Sequence, residues 1–550
     1  MKYKYIRHIC AALLAGIAFA GCSEEWNDHY EPMAAGDGTL WQTISTHGDL
    51  TQFARVVEAC GYDVVLDGSQ TYSVFAPTDA TFTAAEADSL IAEFRRQQAA
   101  GTRPNDNTVV RQFLQNHIAL YRHPVSSLTQ DSVVMMNSKY EVLTHTHMGN
   151  RQLLASNALC DNGLLFTIDR KLDYFPNVFE YLGHDSELDS VYQFLNSYTV
   201  YEFDETKSVP GEIVDGQTVY LDSVSVLVNP LLNALGLINS EDSTYWMDCP
   251  TNAEWSRLLA EYEPYFNYPN NVARRDSMFR VGTRQAIISG TIFSRTVNPD
   301  VAFRDSAVST SAPSSLVRAL MGNDYPYYTY CRPFDAGGVF HGADDILCSN
   351  GHVLKANDFR ISKYETFLQT VKVEAEAIQS QDTVINAVEP LVVREVVSTN
   401  PFYGKISGNT FVEVQPDPAT AQVTVQYKIP GILSNVGYDI YAVFVPATAY
   451  DTLAVAETTR PNIVRTTLYW SDQNGREARR IYNKDLTTRP DVVDTVQLVS
   501  NYTFPTCSYG LADAAVKVAI RSNVRTNQTS THSSTLRLDC LIVRPHREAE

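Results

Sequence analysis

The chain has 550 residues, enough for three or four domains at roughly 150 residues each. Hydrophobic residues make up 44%, charged residues 19% and aromatic residues 11%, values of a folded chain with several cores and not of a disordered one. Lys plus Arg number 43 against 63 Asp plus Glu, and the resulting net charge of -20 excludes nucleic acid as a partner, because phosphate binding needs concentrated cationic surface. No uninterrupted apolar run reaches the roughly 18–20 residues needed to span a bilayer.

At the N-terminus, Lys2, Lys4 and Arg7 precede an apolar stretch from Ile9 to Ala20 that closes on Phe19-Ala20-Gly21-Cys22. The stretch is too short to span, so residues 1–21 are expected to be an export signal. Small residues before a single cysteine resemble the lipobox of bacterial lipoproteins, which implies cleavage before Cys22 and acylation of its thiol. Several acyl chains on one cysteine hold far better than one, at roughly 0.8 kcal/mol per buried CH₂. Ser23-Glu24-Glu25 resembles the acidic tag that sends lipoproteins of Bacteroidota-type cells to the outer face of the outer membrane. The expected location is therefore the cell outer membrane, lipid-anchored and facing the extracellular side, with residues 22–36 as a tether. Beyond Cys22 the cysteines are Cys60, Cys160, Cys249, Cys331, Cys348, Cys507 and Cys540. They are odd in number, scattered and never in a C-x-x-C pair, which argues for small buried apolar residues over disulfides or zinc.

A helical stretch follows from near Gly38, where Leu40, Ile44, Leu50, Phe53, Val56 and Val57 recur at helix-face spacings. Next comes Thr71-Tyr72-Ser73-Val74-Phe75-Ala76-Pro77-Thr78-Asp79-Ala80-Thr81-Phe82, an apolar strand running into Pro77, with Thr78 or Asp79 placed to cap the helix that follows. This run resembles the first signature of the fasciclin domain. Phe113-Leu114-Gln115-Asn116-His117-Ile118 resembles that family's central histidine motif, and Asp161-Asn162-Gly163-Leu164-Leu165-Phe166-Thr167-Ile168-Asp169 its closing hairpin. Asn-Gly in the hairpin suits a type I′ turn, in which both central residues need positive φ. His117 between Asn116 and Ile118 reads as a structural hydrogen-bonder. His145 and His147, on one face of a possible strand, have a metal-compatible spacing but no third ligand nearby.

A degraded second copy follows. Thr244-Tyr245-Trp246-Met247-Asp248-Cys249-Pro250-Thr251-Asn252-Ala253-Glu254-Trp255 repeats the strand, Pro-Thr and helix, and Cys348-Ser349-Asn350-Gly351-His352-Val353-Leu354 repeats the hairpin. The central histidine motif has no counterpart here. Two proline-flanked aromatic clusters fall within this copy: Tyr262, Tyr265, Phe266 and Tyr268, then Tyr325, Tyr327, Tyr328, Tyr330 and Phe334. Prolines mark them as loops, and loops lie at the surface, so Tyr262, Tyr265, Tyr268, Tyr325, Tyr327, Tyr328 and Tyr330 are expected to be exposed contacts for a sugar or a protein partner.

From about Gln369 the pattern turns to period two, in Val423, Val425, Tyr427 and Ile429, in Tyr438 and Ile440, and in Leu536, Leu538, Cys540 and Ile542. Val371-Lys372-Val373-Glu374-Ala375-Glu376-Ala377, Gly437-Tyr438-Asp439-Ile440-Tyr441-Ala442-Val443 and Leu536-Arg537-Leu538-Asp539-Cys540-Leu541-Ile542-Val543 occur in an order that resembles the galactose-binding jelly roll of many carbohydrate-binding modules. The expected architecture is thus multidomain. Two α+β fasciclin-like domains, each a β-sandwich wedge plus helices, occupy residues 37–183 and 184–368, and an all-β sandwich, jelly-roll-like, occupies 369–550.

No G-x-S-x-G, H-E-x-x-H, G-x-x-x-x-G-K-[ST] or G-x-G-x-x-G string occurs, and no catalytic residue, metal set or cofactor is assigned, although a glycosidase needs only two carboxylates placed correctly in space. The function these features imply is a non-catalytic surface lipoprotein that binds a glycan, or docks as an accessory of a starch-utilisation-type outer-membrane transporter. An adhesin binding a protein or matrix partner is the alternative, and a glycoside hydrolase with two unrecognised carboxylates is a lesser one. Triplets of Asp, then Ser or Thr, then an apolar residue or Thr resemble O-glycosylation acceptors of such exported proteins, or equally serve as helix caps and turn starts; they occur at Ser89, Ser132, Ser190, Ser223, Ser243, Ser277, Ser306, Thr383, Thr452 and Thr495.

Overall fold

A six-residue strand with every side chain buried, Tyr72–Pro77, organises the N-terminal part of the computed structural model. The structure describes residues 38–203, 209–214, 217–222, 225–294, 306–309, 329–389, 391–450, 459–511 and 516–547. Two units divide the chain after Phe175.

In the first unit, Tyr72–Pro77 pairs in parallel with Gly163–Ile168, Tyr72 opposite Gly163, inside a seven-stranded sheet. The neighbouring strand Arg151–Cys160 carries two register shifts, which bend the sheet. Phe75 and Phe166 stack at 4.8 Å within the bend, among Val133, Leu143 and Met148. The opposite face takes the helices Leu40–Thr46, Thr51–Ala59 and Ala84–Ala99, through Leu40, Ile44, Phe53, Val56 and Phe94. The helix-face spacing from Leu40 to Val57 is therefore a core face.

Two local expectations are corrected. Neither Thr78 nor Asp79 caps the helix that follows, because Thr83 does so in a capping box with Glu86. The Asp79 carboxylate instead accepts from the N–H groups of Thr51 (3.0 Å) and Gln52 (2.9 Å), capping the earlier helix, whose own N-cap is Leu50. The Asn162-Gly163 hairpin is present, yet neither residue has positive φ. The Asn162 side chain works as a clamp: it accepts from Leu40 N–H at 2.7 Å and donates to the carbonyls of Leu66 (2.8 Å) and Gly68 (2.6 Å). A Cβ on Gly163 would collide with the Tyr72 carbonyl oxygen and the Leu40 side chain.

The same devices recur in the second unit. Tyr245–Pro250 pairs in parallel with Gly351–Ala356, Tyr245 opposite Gly351, within a six-stranded sheet. Asn350 accepts from Val178 N–H (2.8 Å) and donates to the carbonyls of Ile238 (2.8 Å) and Ser240 (2.9 Å), while a Cβ on Gly351 would strike the Tyr245 carbonyl. Asn252, in the place of Asp79, caps the helix Asp189–Asn196 by accepting from Ser190 N–H at 2.9 Å.

The C-terminal part of this unit is all β. One sheet orders Val392–Glu395, Thr410–Val414, Leu536–Pro545, Gly437–Phe444 and Asp494–Thr503, with Val371–Glu374 also pairing on Leu536–Pro545; the other orders Gln381–Ile385, Thr424–Ile429, Val516–Ser522, Ile463–Ser471 and Glu477–Thr487. Val423, Val425, Tyr427 and Ile429 are all buried between them, as their alternation requires. Among the described residues no helix is long and apolar enough to cross a membrane.

Candidate functional site

Cys22, Ser23, Glu24 and Glu25 lie outside the described residues, as do Tyr325, Tyr327 and Tyr328. The remaining tyrosines correct the expectation of exposed loops. Tyr262 and Tyr268 are only 4% and 2% exposed, and Tyr265 is half-buried. Their segment is a joint: Tyr268 donates its hydroxyl to the Tyr509 carbonyl at 2.8 Å, and Asn267 donates to Gln473 (2.9 Å) and to the Pro505 carbonyl (3.0 Å). Ser434 closes it by donating to the Pro264 carbonyl at 2.9 Å. The prolines do break the helix, but the resulting loop packs on the sandwich and not on water. Tyr330 is half-buried, edge-on to Phe293 at 5.9 Å.

His117 is fully buried, its Nδ1 hydrogen-bonded to the Phe113 carbonyl (2.7 Å) and its Nε2 accepting from Leu172 N–H (2.9 Å). Both nitrogens are thereby used by a neutral ring, and burial holds its pKa down at about 4. His145 and His147 are exposed. Of the triplet acceptors, Ser89, Ser132, Ser277, Thr383 and Thr495 are exposed and Ser190 and Ser243 half-buried; the side chains of Ser223, Ser306 and Thr452 lie outside the described residues.

The arrangement best suited to contact a ligand is an aromatic shelf at one end of the sandwich. Val464, Thr466 and Leu468 point inward along Ile463–Ser471, and Trp470 continues that alternation. Arg480 and Tyr482 sit opposite Leu468 and Thr466 on the edge strand Glu477–Thr487, so they face the same way. Tyr502 comes from Asp494–Thr503, the edge strand of the other sheet. Trp470 and Tyr482 stand 5.5 and 6.5 Å from Tyr502, with buried Phe504 behind it at 4.8 Å. The Arg480 guanidinium lies over both tyrosine rings, 5.1 and 5.6 Å from their centroids. All three outer rings are half-buried and Arg480 is exposed; burial pushes the Tyr502 hydroxyl up to about 12, so it stays a neutral donor. The three rings are tilted to one another, Trp470 at 54° and Tyr482 at 84° to Tyr502, and Arg480 covers the tyrosines, so the Trp470 ring can stack on a sugar while the guanidinium and the phenols bond its hydroxyls. Sequence reading missed this set, because its members lie on three separate strands.

A second cluster joins Glu374, Glu376 and Asp539. Glu374, Asp539 and Cys540 bring ligand atoms within 4.8 Å of one another, and one carboxylate oxygen each of Glu374 and Glu376 is buried without a hydrogen-bond partner. Lys372 bonds the other Glu374 oxygen at 2.7 Å. Burial raises Asp539 to about 7 and holds the Cys540 thiol protonated, so the available donors are oxygens, the set that suits Ca²⁺. If Ca²⁺ binds this cluster, at 100 times its dissociation constant it would stabilise the sandwich by about 2.7 kcal/mol. Calorimetry with Ca²⁺ and with chelator checks this: the melting temperature should rise with Ca²⁺ in the wild type and stay put in Asp539→Asn.

The Fasciclin domain family matches residues 48–174. No curated protein matches the chain. Among solved structures, a FAS1 domain pair from the insect cell adhesion molecule fasciclin I is similar at 12% identity, covering 58% of this chain and 99% of its own, with a TM-score of 0.19. The CBM22-1 xylan-binding domain from Paenibacillus barcinonensis Xyn10C is similar at 14% identity over 33% of this chain and 96% of its own, TM-score 0.20. The C-terminal family 22 carbohydrate-binding module of Clostridium thermocellum Xyn10B is similar at 10% identity over 32% and 94%, TM-score 0.20.

Proposed function

We propose that this protein is a non-catalytic, lipid-anchored protein of the outer cell surface that holds a glycan on its C-terminal sandwich. The observation that carries the reading is the shelf of Trp470, Tyr482 and Tyr502 beneath Arg480, because a half-buried indole ring beside two phenols and a guanidinium joins an apolar face to hydrogen-bonding groups, which is what sugar recognition in water requires. The signal and acidic tag at Lys2–Glu25 support the location. The fasciclin match at 48–174 supports a spacer role for the first domain, whose signature residues serve as strand, cap and clamp. The repeat of that clamp and cap at Asn350 and Asn252 supports a second fasciclin-like domain between it and the sandwich. Held beside a transporter of the starch-utilisation type, such a protein would concentrate its substrate.

Affinity electrophoresis of the full chain against a panel of neutral polysaccharides tests the reading. At least one should retard the wild type, and Trp470→Ala should weaken that retention by at least about tenfold, the usual effect of truncating an aromatic anchor. Retention unchanged in Trp470→Ala, or absent throughout, overturns it.

A further inference from the structure

The second unit holds a cleft of 570 Å³ walled by the helices Asp189–Asn196, Asn252–Tyr262 and Arg275–Ile288. That volume falls within the roughly 300–1,000 Å³ of small-ligand sites. Its apolar side is aromatic: Phe194 lies 5.9 Å from Trp255 and 5.4 Å from Tyr198, which meets it edge-on. Its cationic side is Arg280 and Arg284, one turn apart on the same helix, with the Arg284 guanidinium tied to the Arg280 carbonyl at 3.0 Å. Neither makes an ion pair with a carboxylate among the described residues. The contrast lies in the same bundle, where Arg257 is held between Glu254 (2.7 Å) and Glu261 (3.0 Å). The Asp189 carboxylate, which does not line the cleft, accepts from the Gln193 amide at 2.6 Å. In a chain of net charge -20, two guanidiniums with no carboxylate partner among the described residues, beside aromatic rings, mark an anion site.

We infer that this cleft binds a carboxylate-bearing sugar, a hexuronate unit of a polysaccharide. The guanidiniums match a carboxylate in charge and in fork geometry. The half-buried ring of Tyr198, backed edge-on by buried Phe194, takes the C–H face of a sugar, and the Tyr198 hydroxyl, which accepts from Gln285 at 3.4 Å, donates to one of its hydroxyl groups. An extended peptide is disfavoured because the walls are helices, whose backbone groups are already hydrogen-bonded and offer no strand edge to pair with. The sugar ring in this inference rests on the glycan reading above; the demand for a negative charge rests on the two arginines alone.

The test uses the full chain and three probes: polygalacturonate, the same polymer fully methyl-esterified, and a neutral polysaccharide retained by the shelf. Wild type should bind polygalacturonate and bind the ester at least about tenfold more weakly, the worth of one charge-assisted hydrogen bond. Arg280→Gln/Arg284→Gln should lose polygalacturonate while keeping both its circular dichroism and its neutral-glycan retention, since both side chains reach solvent. Equal binding of acid and ester, or undiminished polygalacturonate binding by the double variant, overturns the inference. If the neutral polysaccharide is retained and polygalacturonate is not, the cleft inference alone fails; if neither is retained, the shelf reading fails with it. Polyglutamate binding as well as polygalacturonate, and lost in the same variant, would overturn it in favour of an acidic protein partner.

Discussion

Replacing Asp248 with valine is expected to stabilise the second unit by roughly 2–4 kcal/mol at neutral pH, an unusual sign for a core substitution. Asp248 is 0% exposed in the strand Tyr245–Pro250, and neither of its carboxylate oxygens has a hydrogen-bond partner. Burial, reinforced by Glu254, raises its pKa well above the ordinary carboxylate range, so the folded state holds the proton. The unfolded chain releases that proton above about pH 4, and from there each pH unit costs the folded state about 1.4 kcal/mol until the raised folded value is reached. Wild-type stability of this unit should therefore fall as pH rises, and Asp248→Val should flatten the dependence as well as lift the curve. By register Asp248 stands where the first domain has Phe75, so the fold accepts an apolar side chain there. Hydrogen exchange of a peptide spanning residues 245–250, at pH 5 and pH 7.5, measures both effects; a variant with the same pH slope as the wild type would sink the explanation.

The first unit is expected to respond to pH with the opposite sign. His117 has a folded pKa of about 4 against 6.5, so between these values the unfolded chain binds the extra proton. Its contribution is fully present above pH 6.5 and is lost as pH falls to 4, amounting to about 3 kcal/mol. His117→Gln should lower stability at pH 7, where the bonds to the Phe113 carbonyl and from Leu172 N–H are disturbed, but should remove most of the acid-induced loss. Exchange protection of a peptide spanning 110–120 reports it. Parallel pH profiles for the two proteins would falsify the assignment.

What could be read from the chain, and what could not, follows from the range of the interactions. The strand before Pro77, the hairpin at Asn162-Gly163 and the alternation at Val423–Ile429 are written within a few residues, and all three elements stand where that writing puts them. The reasons differ where the partner is distant: Asp79 caps a helix 27 residues upstream, and Asn162 clamps Leu40 across 122 residues. Tyr268 was legible as a loop residue, but its hydroxyl partner is the Tyr509 carbonyl 241 residues on, and Tyr262, which ends a helix and not a loop, packs on Phe367 at 4.8 Å; local composition says nothing about either partner. The shelf escaped for a related cause. Trp470, Tyr482 and Tyr502 each look like one more aromatic in an alternating strand, and only the meeting of three strands from the two sheets makes them a set.

The joint around Tyr268 bears on whether the sandwich is portable. A cut after Leu368 would take away Asn267 and Tyr268, leaving the carbonyls of Pro505 and Tyr509 without their donors. It would also strip Phe266 from the Tyr509 ring, which it meets at 5.7 Å, and turn buried apolar surface toward solvent. Such a fragment would be prone to self-association. The unit that can be lifted out and grafted elsewhere begins near Pro176 and carries shelf, cleft and joint together.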